Sequence, residues 1–252
     1  ADCQINFKQC NSFSSSISGI YRIERVINDA IINSAGTFRF DSCPNLTVAG
    51  SDATIIVDSV TGDLTIADGA ANNNVSIKKV YGSLIASQNM GSGNCLNIEY
   101  IAQNATFNNI ASSIELVCSV IAGVINDNGQ SRIRANQVGD ITTNGATSYY
   151  NIDIAGGLNS TNSVINAKFL EVGGVGLTDS IADITLGYCA GSVNMANSTN
   201  NIIQPSIIRA TKINGGLNKD GYGSLIVDAQ EITAVFVPTA VSIFGGSLTI
   251  KN

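Results

Sequence analysis

From Gly36 onward the chain is written in short runs of Ile, Val, Leu and Thr that alternate with polar positions and are cut by Gly, Asn and Asp. Thr37-Phe38-Arg39-Phe40, Leu46-Thr47-Val48, Thr54-Ile55-Ile56-Val57 and Asp63-Leu64-Thr65-Ile66 carry the β-rich, partly alternating character of short strands. Asn72-Asn73-Asn74, Asn126-Asp127-Asn128-Gly129, Asn159-Ser160-Thr161-Asn162 and Asn197-Ser198-Thr199-Asn200-Asn201 fall between apolar runs and predict turns. Upstream the period changes. Ile17, Ile20, Ile23, Ile27 and Ala30/Ile31 recur at helical steps, Arg22, Arg25, Asn28 and Asp29 take the other face, and Gly36 closes the run. That spacing predicts an amphipathic helix over 16–35, placed to cap the β-rich remainder of the chain. Residues 1–15 are polar around Cys3 and Cys10, with Phe7 and Phe13 as apolar anchors.

Over this pattern lies a recurring phrase in which an apolar residue, a glycine and an aliphatic residue succeed one another at short range. It reads Val80-Tyr81-Gly82-Ser83-Leu84, Ile121-Ala122-Gly123-Val124-Ile125, Val138-Gly139-Asp140-Ile141, Ile154-Ala155-Gly156-Gly157-Leu158, Val172-Gly173-Gly174-Val175, Cys189-Ala190-Gly191-Ser192-Val193 and Ile213-Asn214-Gly215-Gly216-Leu217. From Gly123 its first glycine recurs at 139, 156, 173, 191 and 215, in steps of 16, 17, 17, 18 and 24 residues. A step of that size suits one coil of a stacked β-structure, with the glycine at a corner where it tolerates positive φ or close backbone approach. The fold class expected is all-β, a parallel β-helix or β-solenoid, with residues 1–44 as an N-terminal anchor or cap and 45–252 as the solenoid. At a strand spacing of about 4.8 Å, roughly ten coils fit between residues 45 and 250. The alternative is a β-sandwich or jelly roll, which pairs distant strands antiparallel instead of pairing residues about 16–24 apart in parallel. The phrase is missing once between Gly82 and Gly123, and its step stretches before Gly215. Insertions, and any recognition along the side of the stack, are expected at those two irregular coils.

Composition fits a folded chain with a narrow aliphatic core: 44% of the 252 residues are hydrophobic, 13% charged and 6% aromatic, with no Trp. A net charge of −6 with scattered Lys and Arg argues against nucleic-acid binding and against a polybasic membrane anchor. The apolar stretch 110–125 is interrupted by Ser112, Ser113, Glu115 and Ser119 and is too short to span a bilayer. Ala1 is not followed by a charged leader and an apolar run, so no signal peptide is expected in this sequence.

The absence of His excludes a Ser-His-Asp triad, a Cys-His pair and a His-ligated metal within this chain. Carboxylate chemistry remains, as used by enzymes that cleave polysaccharides through paired acids. Asp127, Asp140 and Asp153, 13 residues apart, are the catalytic candidates, with Asp179 and Asp183 behind them; corner aspartates in turns are the competing reading. Asp52, Asp58, Asp63 and Asp68 form an acidic run, in which Asp58, Asp63 and Asp68 are the metal candidates, although no calcium-loop motif accompanies them. No phosphate loop or dinucleotide fingerprint is present, and no cofactor is expected. Cys3 and Cys10 are placed to pair with each other, or one of them with Cys43, whereas Cys95, Cys118 and Cys189 read as small buried hydrophobes. Asn45, Asn74, Asn104, Asn159 and Asn197 stand in N-x-[ST] sequons, and one ring of Tyr149-Tyr150 is expected to face outward. A regular Thr-x-Thr ladder of the kind that binds ice is missing, with Thr65, Thr142-Thr143 and Thr249 its nearest traces.

The glycine phrase, the Asn/Gly corners and the small N-terminal region together resemble β-helical fibre, spike and appendage proteins of bacteriophages and bacterial β-solenoid adhesins. The resemblance covers about residues 45–250 and is architectural. It implies a structural or attachment role on a virion or cell surface, a homo-oligomer (a trimer first), and anchoring through residues 1–44. On this reading the protein is non-enzymatic, with a carbohydrate-active β-helix enzyme and a secreted carbohydrate-binding adhesin as the alternatives.

Overall fold

The computed structural model describes residues 4–109, 112–198, 204–236 and 247–251. The chain is all-β and forms a parallel β-solenoid of about 13 turns. Every strand pairing described is parallel, which rejects the jelly roll. Two compact units are present, residues Ala1–Ala135 and Asn136–Asn252.

In the first unit each coil carries a long strand, a corner and a short strand. Gly36–Cys43, Ala53–Val60, Asn74–Val80 and Asn94–Ile101 are long strands; Asn45–Val48, Leu64–Ile66, Leu84–Ala86 and Ala105–Phe107 are short ones. Gln4 lies opposite Ile20, Gly36 opposite Ala53 and Asn74 opposite Cys95, offsets of 16, 17 and 21 residues. Like side chains therefore stack into columns. Ile23, Phe40, Val57, Ile77, Ile98 and Cys118 form one, and Leu46, Leu64, Leu84, Ala105 and Ile125 another, all buried. Phe13 meets Tyr21 and Phe40 edge to face, and Tyr21 stacks on Phe38 with centroids 5.1 Å apart.

The helix expected over 16–35 is absent. The segment forms the strands Gly19–Val26 and Asp29–Ile32, the first paired with Gly36–Cys43 and the second with Asn45–Val48. The supposed apolar face is largely the outer one: Ile17 is 71% exposed, and Ile20, Ile27 and Ile31 are also exposed. The buried residues are Tyr21, Ile23, Val26, Ala30 and Ile32. Two short runs with a two-residue period, offset by the turn at Ile27-Asn28, imitate a helical spacing. Their β-branched side chains suit a strand better than a helix. Residues 4–43 thus form coils of the same kind as the rest of the first unit.

The corner glycines have a more specific cause than positive φ. Their backbones at 62, 82, 123 and 156 are not left-handed; what they lack is room. A Cβ on Gly62, Gly82, Gly123 or Gly156 would collide with Oδ1 of Asn45, Asp63, Asn104 or Asp140 from the coil below. In the first unit that oxygen accepts the N–H of the residue after the glycine: Asp63 N to Asn45 at 2.9 Å, Ser83 N to Asp63 at 2.7 Å and Val124 N to Asn104 at 2.9 Å. Gln103, whose N–H bonds Gly82 O, fills the same corner where the phrase is missing. The coil below it carries Ser83, whose hydroxyl donates to Gln103 Oε1 at 3.5 Å.

Inside the first unit, asparagines close a second corner. Asn94 donates from Nδ2 to the carbonyls of Ala70 and Gly91 at 2.8 and 2.9 Å, and its Oδ1 accepts from Asn73 Nδ2 at 2.9 Å. Asn73 repeats this one coil lower, donating to Gly50 O and accepting the N–H of Ala53. Replacing Asn94 by alanine leaves these buried groups unpartnered and is expected to cost about 2 kcal/mol of stability. Urea unfolding measures it, and a variant within about 0.5 kcal/mol of the natural chain would refute the strut.

The second unit stacks Thr147–Thr161, Val164–Val172 and Ile181–Cys189 at 17-residue offsets, and then lengthens to 24 where Asp183 meets Ile207. Hydroxyls replace asparagines at its inner corner. Ser163 Oγ accepts the N–H of Ala146 at 3.1 Å, Ser180 Oγ that of Ser163 at 3.2 Å, and Ser206 Oγ that of Ala182 at 3.1 Å.

Candidate functional site

The acidic residues singled out in the sequence are distributed over different positions of the coil. Asp58 pairs with Lys78 at 2.8 Å, its neighbour one coil on. Asp63 holds the N–H of Ser83, and Asp68 accepts from Asn89 N at 3.1 Å. Asp52, left-handed at φ 60°, accepts from Asn72 Nδ2 at 3.3 Å. Steps of five or six residues thus lead to separate positions of the coil, Asp58 on a long strand and the others at turns. Among the described residues no three Asp, Glu or Cys side chains come together as a metal-binding group.

Asp127 closes the short strand Ile125–Asp127 in the first unit and points inward, stacked on Phe107. It is fully buried, and its carboxylate accepts the N–H of Gly129 at 3.1 Å and the hydroxyl of Ser131. Asp140 and Asp153, in the second unit, are exposed in different columns. Asp140 lies at the corner beneath Gly156, whereas Asp153 stands among the exposed residues of the long strand Thr147–Thr161. Asp179 accepts Ser198 N at 2.7 Å and Ser198 Oγ at 2.6 Å, and Asp183 pairs with Arg209. Coil-to-coil bonding is the common use of these carboxylates.

Cys43, Cys118 and Cys189 are buried free thiols, but Cys95 is exposed, contrary to its expected burial, because it occupies an outward position of Asn94–Ile101. Burial pushes the Cys43 and Cys118 thiols up to about 12, with the nearby Asp29 charge adding to the effect at Cys43. Cys10 pairs in register with Val26, and Cys43 lies one coil further on. Two strand spacings, about 9.6 Å, exceed the reach of a disulfide, so Cys10 and Cys43 do not bridge. Cys3 lies outside the described residues. Tyr149 faces outward and Tyr150 is buried, as their neighbouring places in a strand require.

A departure from regular packing lies at the stretched coil of the second unit. The inward column Ser160, Leu177, Met195 ends in Lys219, which is fully buried. Its ammonium donates to the carbonyls of Asp220, Gly221 and Tyr222 at 2.8, 2.8 and 2.9 Å, using all three protons to hold the turn. Burial pulls its pKa below the ordinary value, and Asp220 opposes that pull. Beside this turn is a cavity of about 420 Å³ lined by Thr178, Asn197, Ser198, Asp220, Gly221 and Tyr222. Ala196, Asn197 and Ser198 of this lining fall within Ser192 to Gly215, where the sequence step is irregular. Asn197 itself read as a loop residue and sequon, and Lys219 carried no signal, since a lysine does not announce an inward position.

No family model matches the chain, and no curated protein or solved structure matches it.

Proposed function

We propose that this chain is a non-enzymatic structural and attachment protein, a fibre, spike or decoration component displayed on a virion or cell surface and assembled as a homo-oligomer, most simply a trimer. The observation that supports this reading is the use made of the polar side chains. Asn45, Asp63 and Asn104 tie neighbouring coils of the first unit together through backbone N–H groups, and Asn73 and Asn94 do the same inside. A stack braced in this way resists local opening along its length, which suits a rigid display element. The role in attachment, the virion or cell-surface location and the anchoring function of the N-terminal residues belong to the same proposal.

Sedimentation equilibrium and a polysaccharide-cleavage assay test it together. A homo-oligomer without cleavage of bacterial surface polysaccharides is the expected outcome. Cleavage by the natural chain that is abolished in Asp140→Asn or Asp153→Asn would replace the reading with that of a depolymerase. A monomer at micromolar concentration would refute the assembled fibre.

A further inference from the structure

We infer that the turn Asp127-Asn128-Gly129 of the first unit modifies itself: the Asp127 carboxylate serves as base and then acid while Asn128 closes onto the backbone nitrogen of Gly129, releases ammonia and becomes aspartate or isoaspartate. This goes beyond the scaffold reading and does not depend on it, since all the reacting groups belong to one turn of one chain.

An asparagine followed by glycine can cyclise because no Cβ on the glycine shields its nitrogen from the side-chain carbonyl carbon. Three such pairs occur, Asn128-Gly129, Asn144-Gly145 and Asn214-Gly215, and all three asparagines are exposed. What distinguishes them is the group that holds the glycine N–H. Gly145 donates to Thr161 O at 3.0 Å and Gly215 to Gly191 O at 2.9 Å, backbone carbonyls that do not serve as bases. Gly129 donates instead to Oδ1 of Asp127 at 3.1 Å, within the reach a general base requires. Asp127 is fully buried, and Ser131 donates to its other oxygen, so the carboxylate is fixed where it stands.

The bond to Asp127 lies in the peptide plane, so the faces of the Gly129 nitrogen stay free for attack. Asn128 Nδ2 donates to Asn108 Oδ1 at 3.1 Å, which points the leaving nitrogen at the neighbouring coil. Asp127 takes the proton from Gly129 N as that nitrogen bonds Cγ of Asn128. The tetrahedral carbon then expels Nδ2, which departs as ammonia with the proton that Asp127 returns. Water opens the five-membered imide at either carbonyl, giving aspartate or isoaspartate, and Asp127 ends unchanged. Either product places a negative charge beside Asn108. Isoaspartate also lengthens the main chain by one carbon, between Asn128 N, bonded to Phe107 O at 2.8 Å, and Gln130 N, bonded to Asn109 O at 3.0 Å. The reaction thus leaves a permanent mark of age on one coil.

Peptide mapping by mass spectrometry of the full chain, kept folded at neutral pH, follows all three pairs in one sample. Position 128 is expected to convert at least about tenfold faster than 144 or 214, as a positioned acid–base group allows. Asp127→Asn, which keeps an acceptor for Gly129 but cannot take its proton, is expected to bring position 128 down to the rate of the other two. In urea, where the turn is lost, the three rates should converge. The comparison within the natural chain needs no variant, so a folding defect in Asp127→Asn leaves the test intact. The inference is overturned if Asn128 stays intact, if 144 or 214 converts as fast as 128, if folded Asp127→Asn converts at the natural rate, or if the lead of 128 persists in urea, which would assign it to local sequence alone.

Discussion

Gly173→Ala is expected to destabilise the second unit by about 3 kcal/mol or more, whereas Gly145→Ala in the same unit is expected to cost only about 1–2 kcal/mol. The two glycines separate the two reasons for having one. Gly145 is left-handed at φ 69°, and a Cβ there would meet nothing within 4 Å, so alanine suffers only backbone strain. Gly173 has no unusual φ, but its Cβ would fall on the carbonyl oxygen of Gly156 in the coil below. That oxygen belongs to the backbone and cannot rotate away. Gly191 stands over Gly173 and Gly215 over Gly191 in the same manner, so a shift at one coil disturbs the next. Urea midpoints of the two variants decide the matter. Equal losses, or a larger loss at Gly145, would show that conformation and not space selects glycine at these corners.

The same contrast explains what the sequence revealed. The glycine phrase disclosed the coil because steric exclusion at the corner leaves a mark in most turns, imposed by an Asn or Asp side chain of the preceding coil beneath Gly62, Gly82, Gly123 and Gly156 and by its backbone beneath Gly173, Gly191 and Gly215. The helix over 16–35 failed because a one-dimensional spacing of isoleucines does not tell which side of a strand each occupies. Tyr21 and Ile23 are inside, whereas Ile20 and Ile27 are outside. The acidic run from Asp52 to Asp68 failed as a cluster for a related reason: neighbours in sequence sit at successive positions around a coil, and residues that touch are about a full coil apart. Asp127 had the look of a turn residue yet lies on Phe107 in the core, satisfied by Gly129 and Ser131. Of the cavity, the sequence showed only the irregular step. The unpartnered amide of Asn197 depends on what fails to surround it, which no local pattern records.

Raising the pH above 9 is expected to weaken the first unit steeply, through the thiols of Cys43 and Cys118. In the folded chain burial holds both near 12, against an ordinary value of 9.0. Between these values the unfolded chain has released protons that the folded chain retains, so the unfolded state binds fewer protons and stability falls as pH rises. Their contribution is fully present below about pH 9 and is lost progressively towards pH 12, at up to about 1.4 kcal/mol per pH unit for each thiol. Two such groups, acting over two pH units, consume a large part of the roughly 5–15 kcal/mol that holds an ordinary domain together. Lys219 works in the opposite sense but in the second unit: its depressed pKa penalises the folded state at lower pH, and the penalty is relieved as pH rises towards 10.5. Cys43 stacks on Val60, and Cys118 on Ile98, so valine suits both places. Under reducing conditions, the double variant Cys43→Val, Cys118→Val should show a clearly shallower decline of the urea midpoint between pH 8 and 11. Cys95→Val, at an exposed position, should decline as the natural chain does. If the double variant loses stability with the same pH dependence as the natural chain, the buried thiols are not the cause, and ionisation elsewhere governs the alkaline transition.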